Sequence, residues 1–309
     1  MKRVILTGGT GFVGANLTRR LLQDGHHVHL LVRTDYSGWR IKEILNDIQL
    51  HTVDLSNSES VLKTLTTIQP DWIFHLAAHG AYSWQKDVAQ IIQTNLIGTV
   101  NLVEAALKIG FESFIHTGTS SEYGFKEEAP LETAWLEPNS TYACAKAAAT
   151  QYCRYSAQAH KAHIVTLRLY SAFGPYEDPN RLIPNLIRHG LRGELPPLVN
   201  PAIARDFIYV DDVCNACVLA VQKPTQSFGS VYNLGTGVQT TLSEVVDVAR
   251  RIMQIQTEPQ WGSMPSRSWD TSVWVANNHK IQEELNWFPR YDFEQGFRLM
   301  VEWQKNLPL

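Results

Sequence analysis

Apolar residues recur along this chain at two alternating periods. A strand-like run, Val4-Ile5-Leu6-Thr7, meets Gly8-Gly9-Thr10-Gly11-Phe12-Val13-Gly14, after which apolar positions return at helical spacing. The pattern predicts a first strand at 4–6, a helix over 13–24 closed by Gly25, and a second strand over 28–32. A third strand over 48–53 leads into Asp54-Leu55, and a helix through the sixties precedes a buried strand over 72–76. A helix over 91–107, a strand over 114–117, a helix over 142–159 and a strand over 164–169 continue the alternation. Each helix has an apolar stripe to bury against a sheet, so the strands read as parallel and covered on both faces. Beyond Gly174-Pro175 the rhythm loosens, and Pro175, Pro179, Pro184, Pro196, Pro197 and Pro201 divide the chain into short elements. Strands over 207–210 and 231–234 and a helix over 242–255 follow.

Composition narrows the classes. Of 309 residues, 44% are hydrophobic and 18% charged, enough apolar surface for a large core or two packed lobes. A net charge of −3 gives no general attraction to nucleic acid, although a local basic pocket could still take phosphates. The chain enters its first strand directly after Lys2-Arg3, and that apolar run is too short to span a membrane. The expectation is therefore no signal peptide, no membrane partner and a cytoplasmic setting. Cys214 and Cys217 have metal-ligand spacing but sit in an apolar helical segment with no second pair, so packed thiols are expected. His79, His116 and His160 form no ligand cluster, and no metal is expected.

Gly8, Gly11 and Gly14 follow a strand and open a helix, the setting in which glycines permit a tight turn and close pyrophosphate approach. The expected fold is α/β, a Rossmann-type doubly wound parallel sheet. Residues 1–174 form the dinucleotide-binding domain, and 175–309 mainly a smaller C-terminal substrate-binding lobe, with some segments returning to the main sheet. The second strand ends Val32-Arg33-Thr34-Asp35. Arg33 favours NADP(H) through a 2′-phosphate, while Asp35 leaves NAD open. Asp54, beside Leu55, is a candidate for the adenine amino group. Tyr142 and Lys146 lie one helical turn apart, so an ammonium could favour the phenolate beside a nicotinamide. Thr119 can supply a hydroxyl to the same substrate oxygen.

With these residues in hand, the chain resembles the extended short-chain dehydrogenase/reductase superfamily and its NAD-dependent epimerase/dehydratase family. The resemblance rests on the glycine turn from Thr7, His75-Leu76-Ala77-Ala78, Asn95-Leu96-Ile97-Gly98-Thr99, Thr119-Ser120-Ser121-Glu122-Tyr123-Gly124 and Tyr142-Ala143-Cys144-Ala145-Lys146. It extends through Arg205-Asp206-Phe207-Ile208-Tyr209-Val210-Asp211-Asp212 to Leu285-Asn286-Trp287-Phe288-Pro289. It implies that Thr10, Phe12 and Val13 join the glycines at the cofactor and that Leu76, Ala77 and Ala78 lie under its nicotinamide half. It further implies that Asn95 supports the active-site helix, that Thr119, Tyr142 and Lys146 are catalytic, and that Arg205 and Arg267 receive sugar-nucleotide phosphates. A homodimer through helices 91–107 and 142–159 is implied as well.

Departures from the family pattern bear on the reaction. Where 4,6-dehydratases carry an Asp–Glu pair, this chain has Ser120 and Ser121, so dehydration is not expected; Glu122 falls at an apolar family position. Ser171 stands where many relatives have asparagine against the substrate, and the segment around Pro196-Pro197-Leu198-Val199-Asn200-Pro201 resembles paratose and abequose synthases. The expectation is an NADP(H)-dependent 4-ketoreductase acting on a nucleotide-linked 4-keto-6-deoxyhexose. An NAD-dependent nucleotide-sugar 4-epimerase is the alternative, and a non-catalytic dinucleotide- or sugar-nucleotide-binding protein the third reading.

Overall fold

The computed structural model describes residues 1–82, 84–265 and 271–306. Its strands are β1 (Arg3–Thr7), β2 (His27–Val32), β3 (Gln49–Thr52), β4 (Trp72–His75), β5 (Ser113–Thr119), β6 (Ile164–Leu169), β7 (Ser171–Phe173), β8 (Ala204–Arg205), β9 (Phe207–Tyr209), β10 (Val231–Leu234) and β11 (Thr240–Thr241). The α-helices are α1 (Phe12–Gln23), α2 (Ser58–Ile68), α3 (Val88–Ile92), α4 (Gly98–Ile109), α5 (Thr141–His160), α6 (Leu182–Gly190), α7 (Val210–Gln222), α8 (Leu242–Met253), α9 (His279–Leu285) and α10 (Phe293–Lys305).

Seven strands form one sheet in the order β10-β6-β5-β4-β1-β2-β3, each neighbouring pair parallel. The order reverses between β1 and β4, and the crevice at such a switch point is where open α/β sheets bind ligands. Leu17 and Leu21 of α1 and Val213 and Cys217 of α7 bury one face; Val61 and Leu65 of α2, Leu102 and Ala106 of α4 and Ala157 of α5 bury the other. A third core joins Phe173 and Phe207 to Leu186, Val245, Phe297 and Met300, holding together the elements that follow β6. Through β10, paired to β6, the chain returns to the main sheet after leaving it.

The helix expected over 91–107 is corrected. It begins earlier, at Val88 under the Asp87 cap, and is interrupted by a π-helical turn, Gln93–Ile97, before α4. The turn buries Asn95, whose side chain accepts from the His79 backbone N–H at 2.9 Å and donates to the His79 carbonyl at 2.6 Å. Apolar periodicity does not register one extra residue per turn, but a buried amide with two backbone partners supports the distortion. The strand expected over 207–210 stops at Tyr209, because Val210 already starts α7. Cys214 and Cys217 are packed in the α7 core as free thiols, and burial pushes the Cys217 thiol up to about 12. Among the described residues, no helix is long and apolar enough to cross a membrane.

Candidate active site at the switch point

The glycine turn sits at the carboxyl end of β1. Gly8 has φ +72°, and the Gly11 N–H bonds back to its carbonyl at 2.9 Å. A Cβ on Gly8 would lie 2.6 Å from the Ala77 nitrogen and the Leu76 carbonyl carbon, and one on Gly14 would lie 2.1 Å from the Gly8 oxygen. Turn, helix start and the end of β4 therefore meet backbone to backbone. The N-terminus of α1 begins at Gly11 without a side-chain cap, and no acidic residue occupies its first turn. Phe12 and Val13 are half-buried on that turn after half-buried Thr10, and Ala78 is exposed beyond β4. Exposed first-turn N–H groups with an unopposed dipole are suited to an anion. Gly14→Ala is expected to lower stability by about 1–3 kcal/mol, because two backbones must separate. It should also weaken dinucleotide binding at least tenfold, as read by calorimetric titration.

At the end of β2, Arg33 is exposed and its Nε lies 3.4 Å from Asp35 Oδ1. Asp54 is also exposed, its carboxylate accepting the Ser56 N–H at 2.9 Å, and the Leu55 carbonyl accepts from Asn101 at 2.8 Å.

Thr119 ends β5 and caps a short 3-10 turn, Ser120–Tyr123, accepting the Ser121 N–H at 3.2 Å. Its hydroxyl lies beside the Tyr142 phenol and favours the phenolate. Ser140 caps α5, placing Tyr142 in the first turn and Lys146 one turn later on the sheet-facing side. Burial pushes the half-buried Tyr142 up to about 12, with the Glu122 carboxylate adding to it and the Thr119 hydroxyl opposing it. Lys146 is 1% exposed, its Nζ has no hydrogen-bond partner, and burial lowers it to about 8 against the opposing charge of Glu122. Ser120 is buried and Ser121 half-buried beside them.

Glu122 faces the interior. It accepts from the Thr119 N–H and the Thr150 hydroxyl, each at 2.9 Å, and from Arg168 Nε at 2.8 Å. On the other side of the crevice, Ser171 is half-buried in β7, and its N–H bonds to the Asp206 carbonyl at 3.0 Å. Arg205 donates to the Ala204 carbonyl at 2.7 Å with its guanidinium 5.4 Å from the Trp274 ring centre. The buried Asp206 carboxylate fixes the loop beside it, accepting from the Thr236 hydroxyl and from the N–H groups of Thr236, Gly237 and Ala276. Arg267 lies outside the described residues.

The expected lobe after residue 174 includes the segment 175–181, but the sequence does not name its partners. Asn16 of α1 donates to the Pro175 carbonyl at 2.8 Å, Arg40 donates to the Tyr176 carbonyl at 2.7 Å, and Arg181 reaches the Ala81 carbonyl at 3.4 Å and stacks 4.8 Å from the Tyr82 ring centre. Arg40 belongs to the chain after β2 and Ala81 to the chain after β4. With Asn16, these contacts tie the segment to α1 and to the chain after β2 and after β4, the strands on either side of β1. Tyr176 is held at φ 67°, a left-handed conformation that costs a non-glycine residue roughly 1–3 kcal/mol and persists where surroundings over-determine it. No local motif announces these contacts; a lone arginine after several prolines carries no periodic signal.

A family model described as the NAD dependent epimerase/dehydratase family matches residues 4–235. The chain belongs to that family. It is 28% identical over 326 residues to the dTDP-glucose 4,6-dehydratase of Xanthomonas campestris, covering 97% of this chain and 92% of that one. Its fold is similar to the UDP-glucose 4-epimerase of Thermotoga maritima solved with UDP-glucose, at TM-score 0.87, 27% identity and 98% coverage of both chains. The UDP-glucose 4-epimerase of Thermus thermophilus solved with NAD matches at TM-score 0.86 and 28% identity, over 98% of this chain and 99% of that one.

For an epimerase/dehydratase family member the acid–base inventory is narrow. The glycine turn, the uncapped start of α1 and the unpartnered Lys146 Nζ fit a dinucleotide, since a buried amine without a partner is costly unless a ligand oxygen reaches it. Glu122, locked to Arg168, has no route to act as a carboxylate acid or base in the crevice.

Proposed function

We propose that the chain is an NAD-dependent 4-epimerase of a nucleotide-linked sugar. NAD, when bound, supplies the acceptor for the C4 hydride and a positive charge beside the Tyr142 phenol. Tyr142 takes the C4 hydroxyl proton and later returns it. Thr119 hydrogen-bonds the same oxygen as charge develops on it. Lys146 holds the adjoining ribose and favours the phenolate. Arg205, and Arg267 by resemblance, receive the diphosphate. Ser120 and Ser121 supply no carboxylate for removing water, which argues against the dehydratase reaction.

The observation that carries this reading is that residues 175–181 are tied at once to α1, to the chain after β2 and to the chain after β4, which we read as a cover over the glycine turn. A dinucleotide enclosed there suits a reaction that returns its hydride to the same sugar and requires no exchange of cofactor. Arg33 favours the second reading, an NADP(H)-dependent 4-ketoreductase, although its contact with Asp35 weakens the claim on a 2′-phosphate.

Mass analysis of dinucleotide released by denaturing freshly purified protein tests the two. Retained NAD, with interconversion of C4 epimers and no net absorbance change at 340 nm, is expected. Little retained cofactor, with stoichiometric NADPH oxidation by a 4-keto sugar nucleotide, would establish the reductase instead. Arg40→Ala is expected to release the dinucleotide at least tenfold faster while turnover per bound cofactor stays within twofold.

A further inference from the structure

Tyr142, Lys146 and Thr150 follow one another at four-residue steps, so one face of α5 carries all three. Glu122 grips the last of them. One carboxylate oxygen takes the Thr119 N–H at the end of β5 and the Thr150 hydroxyl on α5, and the other takes Arg168 on β6. Both charged side chains are almost completely buried, at 0% exposure for Glu122 and 1% for Arg168. The site is shaped for this carboxylate: a Cβ on Gly118, whose register partner is Arg168, would lie 2.6 Å from Glu122 Oε1. Arg168 continues to the Tyr123 hydroxyl at 2.7 Å, which donates to Asn233 on β10 at 2.7 Å, so the clamp extends to the sheet edge.

We propose that Glu122 is a positioning residue: it fixes α5 against the end of β5 so that the Thr119 and Tyr142 hydroxyls meet on one substrate oxygen. The catalytic part of this inference rests on the epimerase reading above. The groups that face Lys146 are Tyr142 and Cys153 on its own helix, Glu122 from the turn after β5, His75 from β4 and His116 from β5; Arg168 faces Glu122, and Arg181 acts on Tyr142. Of these, Glu122 is the anion that raises Lys146 against burial. Removing its charge therefore lets Lys146 lose its proton at lower pH.

The test pairs two variants. E122Q/R168Q keeps an amide–amide bond while deleting both charges; Thr150→Val keeps both charges and deletes the grip on α5. For E122Q/R168Q, kcat for C4 epimerisation is expected to fall about tenfold with KM within twofold, as for a misplaced reacting group. The alkaline limb of its kcat profile should move down by half a pH unit or more. The Lys146 midpoint, followed by NMR of 13Cε-labelled lysine and assigned with Lys146→Arg, should move with it. Thr150→Val should lower kcat severalfold and leave both the limb and the midpoint in place. A folded E122Q/R168Q with an unmoved Lys146 midpoint and kcat within twofold of the parent would overturn the proposal. If that double variant does not fold, a Thr150→Val enzyme with unchanged kcat overturns the positioning role by itself. If the parent epimerises no sugar nucleotide, the function reading fails, while the Lys146 midpoint still tests the effect of Glu122.

Discussion

Tyr142→Phe is expected to lower kcat by about a thousandfold, within the range that a positioned proton-transfer group contributes. KM should stay within a few-fold, and the dinucleotide should still be retained, because the phenyl ring fills the same half-buried place beside Gly80. The hydroxyl is the only group removed, and it is the one that the Thr119 hydroxyl influences. Steady-state kinetics together with the mass of the released cofactor separate this result from a folding defect. A variant with kcat within tenfold of the parent would mean that another group moves the C4 proton.

Arg168→Met is expected to cost about 3–5 kcal/mol of stability, the largest single effect foreseen for a residue outside the crevice. It would leave the Glu122 carboxylate fully buried, with two neutral donors and no cation. The neutral pair Glu122→Leu/Arg168→Met should recover much of that loss, since neither charge then needs compensation in a dry interior. Urea denaturation reads both variants, provided the slope is unchanged so that midpoints report stability. An Arg168→Met midpoint equal to that of the parent would show that water reaches Glu122. The clamp would then be solvated rather than buried.

The parts of the crevice legible in the sequence are those whose geometry is set by neighbouring residues. The glycines at 8, 11 and 14 are demanded by contacts within the turn itself, since a side chain at Gly14 strikes Gly8 six residues earlier. Tyr142 and Lys146 share a face because helical geometry places residues four apart on one side. Thr150 was equally legible by that spacing, but a threonine suggests no role until a buried carboxylate is found opposite it. Arg33, at the end of β2, was legible as a candidate for a phosphate; the structure adds that Asp35 lies 3.4 Å from it.

The chain's own pattern was sufficient for the alternation of strands and helices, the glycine turn and the Thr–Tyr–Lys group. Each depends on local backbone sterics or on a short period of burial. Tertiary structure decided the π-turn that seats Asn95 against His79, the inward aim of Glu122 and the contacts of residues 175–181. It also decided that β10 is the segment that returns to the sheet. These depend on pairs such as Asn16 with Pro175, 159 residues apart, and Arg40 with Tyr176, 136 apart. No periodicity links such residues. Their contacts exist only because the sheet order places β1 between β2 and β4 and brings the later chain back across its carboxyl edge.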